Sequence, residues 1–385
     1  MIKKSLKNFF ELEAATGILL AIATILALLI ANSAGNNFYQ YCFTSSLSNN
    51  TSIINHSLSL RDLINDGFMA IFFLLVGLEL KKEVLIGELS SKAKVALPLI
   101  AACGGVIFPA LIFAYFNFND EKAIHGFAIP TATDIAFAYG VISFFGKKFS
   151  NSLKIFLVSL AVIDDLIAIL IIAIFYSGEI DVVYLLYSLA IIGALFFLNY
   201  RSSNNLFLYS LLGVLLWLVI LKSGIHATLA GVILSIFIPL QIRNEKFLEK
   251  LTKKIAPIVN FFILPIFAFA NAGVVLGNFS WDILFANLVL GIILALFIGK
   301  QLGVMIFSFI AIKLKLTNLP KGTNWLEFYA VAIFTGIGFT MSLFIGSLAF
   351  LGDDVILEEV KIGVLGGSLL SIVYGFMIAG LIRRK

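Results

Sequence analysis

The chain has 385 residues, is 61% hydrophobic and only 13% charged, and carries a formal net charge of +5. Soluble domains carry about 25% charged residues, and a soluble chain of this length could not hide so much apolar surface, so that class is excluded. The basic residues fall between apolar runs rather than in a patch, which excludes a nucleic-acid footprint, and two cysteines, Cys42 and Cys103, make no disulfide framework.

Twelve apolar stretches follow in order, at 12–31, 60–80, 95–117, 122–145, 153–176, 181–200, 206–221, 224–240, 255–277, 283–312, 327–350 and 357–382. A helix needs about 20 such residues to cross the roughly 30 Å hydrocarbon core of a bilayer. The expectation is an all-α integral membrane protein of 12 transmembrane helices forming a single transporter domain, 1–385. The opening MIKKSLK before an apolar run is like a signal peptide, but the run is too long and lacks a cleavage site, so it is read as the first span.

Lys and Arg set the orientation, because they concentrate in cytoplasmic loops. One set of loops and termini, from Lys3 to Lys385, holds 22 of the 27 basic residues. The opposite set holds only Arg61, Lys122, Lys222 and Lys361, and Lys300 lies inside a span. The alternation predicts both termini in the cytoplasm. The long outer loop 32–59, rich in Asn and Ser, predicts either a small hairpin around Asn49-Asn50 that would join two copies as a homodimer, or a disordered segment. The longest inner connection, about 241–254, is charged.

The fifth span, IFLVSLAVIDDLIAILIIAIFY, has two adjacent acids near mid-membrane, Asp164 and Asp165. One Asp there costs about 2.5–3.5 kcal/mol on insertion scales, and neighbours on a helix point about 100° apart. At most one of them could turn to a nearby surface. Intramembrane carboxylates mark ion or proton pathways.

Two spans are interrupted in the middle. The fourth reads GFAIPTATDIAFAYG, where Pro130 removes a helix hydrogen bond before Thr131, Thr133 and Asp134. The eleventh reads FTGIGFTMSLF, with Gly336 and Gly338 between Thr335 and Thr340. Each break falls in the middle of three spans, which predicts two inverted-topology repeat units at about 95–176 and 283–382. For the two glycines, close helix packing is an equal alternative.

Broken helices leave partial charges inside the bilayer. Asp134, at the start of the second half of span four, can neutralise facing helix N-termini. Lys300, in LGIILALFIGKQLG, can neutralise facing C-termini or pair with an aspartate. With Thr133 these residues make a mid-membrane cluster that can hold protons or a hard monovalent cation, but not both comfortably. The pair Asp164 and Asp165 should titrate as one unit, and competition for one site is enough for exchange. No phosphate loop, zinc spacing or serine elbow occurs, which favours a gradient-driven carrier over an enzyme.

The segments FFLLVGLELKKE (72–83), AIPTATDIAFAYG (128–140), SLAVIDDLIAI (159–169), GIHATLAGVILSIFIPL (224–240), LPIFAFANAG (264–273), GKQLG (299–303) and FTGIGFTMSLFI (334–345) resemble, in order and spacing, those of the NhaA Na+/H+ antiporters. That family is a standard example of the inverted-repeat transporters. The resemblance implies an electrogenic exchanger of Na+ and Li+ for protons in the bacterial inner membrane, driven by the proton-motive force, with no cofactor. It implies that Asp165 is the principal cation ligand, that Asp164 exchanges a proton and pairs with Lys300, and that Thr133 and Asp134 assist. It further implies that Asn65, Asp66, Glu79, Lys82 and Glu83 serve an entry funnel and pH activation, and that His226 takes part in the pH response. Interfacial anchoring is the alternative for Lys82 and Glu83, and a structural role for His226.

The chain departs from the family pattern before Pro257. Where some members have an acid and two histidines, it has Thr252, Lys253 and Ala256, with Glu249 the nearest acid. That puts pH control by this loop in doubt. Rival readings are a cation channel, an intramembrane aspartyl protease and a retinal protein. The protease signature fails because Phe339 follows Gly338 where an aspartate is required, and twelve spans rather than seven speak against a retinal protein.

Overall fold

The structure, a computed structural model, describes residues 2–45, 59–242, 245–275, 277 and 281–382. Its helices in chain order are α1 (Ile2–Ala31), α2 (Asn36–Thr44), α3 (Leu60–Ile86), α4 (Lys92–Asn117), α5 (Ile135–Phe144), α6 (Asn151–Phe175), α7 (Val182–Tyr200) and α8 (Leu206–Lys222). They continue as α9 (Leu229–Phe237), α10 (Phe247–Asn271), α11 (Asn287–Lys313), α12 (Trp325–Phe334), α13 (Phe339–Ala349) and α14 (Asp354–Leu381). A 3-10 segment, Ala123–Thr131, precedes α5. Among the described residues nine helical stretches are long and apolar enough to cross a membrane. The bent pair Ala15–Ala31 and Asn36–Phe43, turning by 115°, makes ten if it counts as one span. The expected spans at 206–221 and 224–240 correspond to the shorter α8 and α9.

Cα packing divides the chain into two compact units, one of residues 1–33, 88–168 and 271–385, the other of residues 34–87 and 169–270. In the first, α4 and α11 cross in direct backbone contact. A Cβ on Gly303 would come 2.0 Å from the Gly104 carbonyl, and one on Gly299 would come 2.8 Å from Pro109 Cα. Small residues permit such backbone approach where no water drives helices together. Both breaks lie in this unit. Ala132 is extended (φ −88°, ψ 152°) between the 3-10 segment and α5, and Thr335 to Gly338 separate α12 from α13. Gly336 and Gly338 do not adopt positive φ; they are small because a Cβ would strike the Leu296 carbonyl at 2.5 Å and Leu296 Cδ2 at 2.9 Å respectively. The break and the close packing are one feature.

In the second unit, Leu78, Leu195, Tyr209, Leu216, Ala230 and Leu248 share one apolar core. The C-terminal carbonyls of the short α9 are held by side chains: Lys81 Nζ donates to Ile236 and Ile238, and Asn199 Nδ2 to Phe237, each at 2.6 Å. Orphan carbonyls at a helix end need such donors when the end is removed from water.

Two sequence expectations are corrected here. The charged connection at 241–254 is largely helix, since α10 starts at Phe247. Leu248, Leu251 and Ile255 recur at i, i+3 and i+7 and pack on the core of this unit, so the stretch is amphipathic rather than a loop. The outer stretch 32–59 begins with α2, whose Tyr39 and Phe43 pack edge-on against Phe269 at 5.5 and 5.9 Å. Tyr39 Oη donates to the Phe269 carbonyl at 2.6 Å. The expected hairpin around Asn49-Asn50 lies outside the described residues.

Candidate functional site

The two breaks meet in the first unit. Asp134 N–H donates to the Ile337 carbonyl at 2.7 Å, joining the extended part of one broken span to that of the other. Asp134 is also the N-cap of α5, with Oδ1 accepting from Phe137 N–H at 2.9 Å. Its other oxygen, Oδ2, accepts from Thr340 N–H at 3.0 Å and Thr340 Oγ1 at 2.5 Å in the first turn of α13. One buried carboxylate thus faces the N-terminal ends of two half-helices, where partial positive charge gathers. Ser342 Oγ, two residues further along α13, donates to the Ile129 carbonyl at 2.6 Å.

Asp164 and Asp165 stand midway along α6, each no more than 2% exposed. Lys300, fully buried, opens the regular part of α11 immediately after a π segment, Ala295–Gly299. Its Nζ donates to Asp164 Oδ2 at 2.6 Å and to the Thr131 carbonyl at 2.5 Å. The lysine therefore meets both an aspartate and the C-terminal end of the 3-10 segment. Gly105 on α4 lies alongside, and a Cβ there would stand at ordinary contact distance, 3.8 Å, from Nζ. Thr133 Oγ1 is 2.7 Å from Asp164 Oδ2 and 2.9 Å from the Thr335 carbonyl. With one proton, this hydroxyl can donate to only one of them at a time.

Asp164 is consequently asymmetric. Oδ2 receives Lys300 and Thr133, while the buried Oδ1 has no hydrogen-bond partner among the described residues. A buried acceptor without a donor is costly, and a proton or a hard cation would satisfy it. The oxygen chemistry, with carboxylates, threonine hydroxyls and backbone carbonyls freed by the breaks, suits a cation that takes oxygen ligands.

The five residues expected at the exchange cluster, Thr133, Asp134, Asp164, Asp165 and Lys300, all lie in the first unit and surround the crossing of the breaks. The others lie in the second unit. Asn65 and Asp66 occupy a π segment of α3, Leu63–Phe68; Glu79, Lys82 and Glu83 follow along the same helix; and His226 precedes α9. The His226 Nε2 is buried without a hydrogen-bond partner among the described residues. On α10, Thr252 donates back to the Leu248 carbonyl at 3.0 Å, and Lys253 pairs with Glu249 at 3.0 Å. Sequence reasoning named Thr340 only as a flank of the glycines and passed over Ser342 and Ser368, whose Oγ accepts from Phe339 N–H at 3.3 Å. A signal was present, since FTGIGFT carries the same small hydroxyl residues as the break in span four.

Nearly all-helical architecture, breaks that cross inside one unit and buried carboxylates facing a lysine define a multi-pass membrane transporter. The chain matches the family model described as Na+/H+ antiporter 1 over residues 7–379. It is 48% identical over 384 residues, all of both chains, to a protein of Campylobacter jejuni named Na(+)/H(+) antiporter NhaA 2. It is 48% identical to Na(+)/H(+) antiporter NhaA of Pelagibacter ubique, covering 98% of this chain and 97% of that one. With the protein of the same name from Psychrobacter arcticus it shares 46% identity, over 97% and 94% of the respective chains. The chain belongs to the NhaA family of Na+/H+ antiporters.

Proposed function

We propose that this chain exchanges cytoplasmic Na+, and Li+, for external protons by letting cation and proton compete for Asp164 and Asp165. The observation that carries the reading is the asymmetry of Asp164, one oxygen held by Lys300 and Thr133 and the other left without a partner. With the site open to the cytoplasm, a cation displaces protons and binds chiefly at Asp165. With the site open to the other face, protons return, Asp164 takes one, and the cation leaves. More than one proton moves per cation, so transport is electrogenic and the proton-motive force drives it. Thr133 supplies an oxygen to the occupied site, and Asp134 holds the two half-helices that must move together.

The setting we propose is a bacterial inner membrane, crossed by twelve spans with both termini cytoplasmic and with inverted repeats at about 95–176 and 283–382. The charge alternation of the loops supports this orientation. Asn65, Asp66, Glu79, Lys82 and Glu83 serve an entry funnel and pH activation, with His226 contributing to the pH response. Because Thr252, Lys253 and Ala256 stand where other members have an acid and two histidines, the pH threshold differs from theirs. Outer residues 32–59 are the proposed homodimer contact. The protein acts as a carrier rather than an enzyme, and homeostasis of sodium and internal pH is its role.

The test is Na+-, Li+- and K+-induced collapse of the proton gradient in respiring everted vesicles across a pH series. Collapse with Na+ and Li+ but not K+ supports the proposal. No collapse at any pH, with folded and inserted protein, contradicts it.

A further inference from the structure

Lys300 is, among the described residues, the cation at the proposed exchange site, and its own helix is irregular at the point from which it projects. In the segment Ala295–Gly299 the ladder widens, with Lys300 N–H bonding the Ala295 carbonyl five residues back. Wide turns of this kind recur at functional sites and need outside support. The support comes from the next residue. Gln301, 6% exposed, donates from Nε2 to the Phe297 carbonyl inside the wide turn at 2.5 Å. Its Oε1 accepts from Tyr329 Oη on α12 at 2.7 Å, and Tyr329 Oη lies 3.4 Å from Tyr374 Oη on α14. The Tyr374 ring closes the loop, standing edge-on to Phe297 at 5.6 Å.

This ring of four side chains spans three helices. It ties the wide turn to α12, the half-helix that ends at the Thr335 break, and the Leu296 carbonyl of the same turn abuts Gly336. The charged groups acting on Lys300 are Asp164 and Asp165 of α6. Asp134 is engaged by α5 and α13, α4 offers Gly105, and the 3-10 segment offers the Thr131 carbonyl. From α12 and α14 the neighbours at the wide turn are the two tyrosines, which are neutral. Their influence on Lys300 is therefore positional.

We infer that Gln301 and Tyr329 are positioning residues, which hold the wide turn so that Lys300 reaches Asp164 and which couple that reach to the half-helix before the Thr335 break. The inference rests on the exchange reading given above. A lysine held less firmly neutralises Asp164 less well, and exchange then begins at higher pH.

The experiment compares the full-length protein with Tyr329→Phe, Gln301→Leu and the double variant in everted vesicles, measuring Na+-induced gradient collapse against pH, alongside thermal melting of each purified protein. Tyr329→Phe removes one hydroxyl, and loss of one hydrogen bond predicts an alkaline displacement of the profile by about half a pH unit or more. Gln301→Leu should displace it in the same direction, and the double variant should move no further than the larger single effect, since both act through one contact. Single-variant profiles that superimpose on the parent, or displacements that add in the double variant, would overturn the inference. So would displacements matched by a collapse of the melting temperature in both single variants. Absence of exchange in the parent protein would instead count against the function proposed above, which keeps the two failures distinct.

Discussion

Lys300 Nζ stands 2.6 Å from Asp164 Oδ2, with both side chains wholly removed from solvent. Taking one partner from a buried ion pair strands the other charge and costs about 3–5 kcal/mol. Lys300→Ala should therefore melt well below the parent protein in detergent. A Lys300→Gln/Asp164→Asn double variant, with no buried charge left unpaired at that contact, should recover most of the lost stability without recovering exchange. Equal melting temperatures for Lys300→Ala and the parent would show that the pair does not form.

Asp134 joins the two breaks through Thr340. Thr340→Val keeps the shape and the backbone donor but removes the hydroxyl from a carboxylate, and hydrogen bonds to charged groups contribute about 1.5–3 kcal/mol. The variant should lose stability on that scale, and Thr340→Ser should retain most of it. A Val variant as stable as the parent would mean that the hydroxyl contributes nothing to the junction.

Backbone contact between α4 and α11 gives a steric prediction. A methyl on Gly303 would lie 2.0 Å from a backbone carbonyl, whereas one on Gly193 in α7 meets nothing within 4 Å. Gly303→Ala should sharply reduce exchange and lower the melting temperature although no ionisable group changes. Gly193→Ala should leave both unaltered, or raise stability slightly through helix propensity. Matching behaviour of the two variants would contradict the close crossing.

Glu245, ahead of α10, lies 2.6 Å from Lys250, which holds its carboxyl below the ordinary range, through the hydrogen bond first and the ionic attraction second. A depressed carboxyl contributes stability above its unfolded-state pKa and loses it only as pH falls through the lower folded value. Around neutral pH Glu245 is ionised throughout and cannot sense the change. Glu245→Gln should leave the pH profile of exchange in place, and a displaced profile would assign this surface pair a regulatory part.

Much of the site was legible because the bilayer makes polarity expensive. In an apolar chain, Asp164, Asp165, Lys300 and the interruptions at Pro130 and Gly336 stand out against their surroundings, and their pairing follows from what burial demands. The wide turn before Lys300 was not legible. One extra residue in a turn leaves the stretch as apolar as before, and a helix that is apolar all round carries no phase by which the insertion could be seen. For the same reason Gln301 read as part of a glycine-flanked motif rather than as a brace. The early start of α10 was written in Leu248, Leu251 and Ile255, but the surrounding lysines made the stretch look like a loop. In α2, Tyr39 and Phe43 had no visible partner until the fold brought Phe269 to them.

The central claim is that cation and proton compete for the aspartate pair, and proton release on cation binding tests it most directly. Purified protein in weakly buffered detergent solution, at a pH where exchange operates, would receive Na+ or Li+ while the pH is followed. The account predicts acidification with either cation and none with K+, abolished in Asp165→Asn and Asp164→Asn while both variants remain folded by melting. Acidification that persists undiminished in both variants would contradict it.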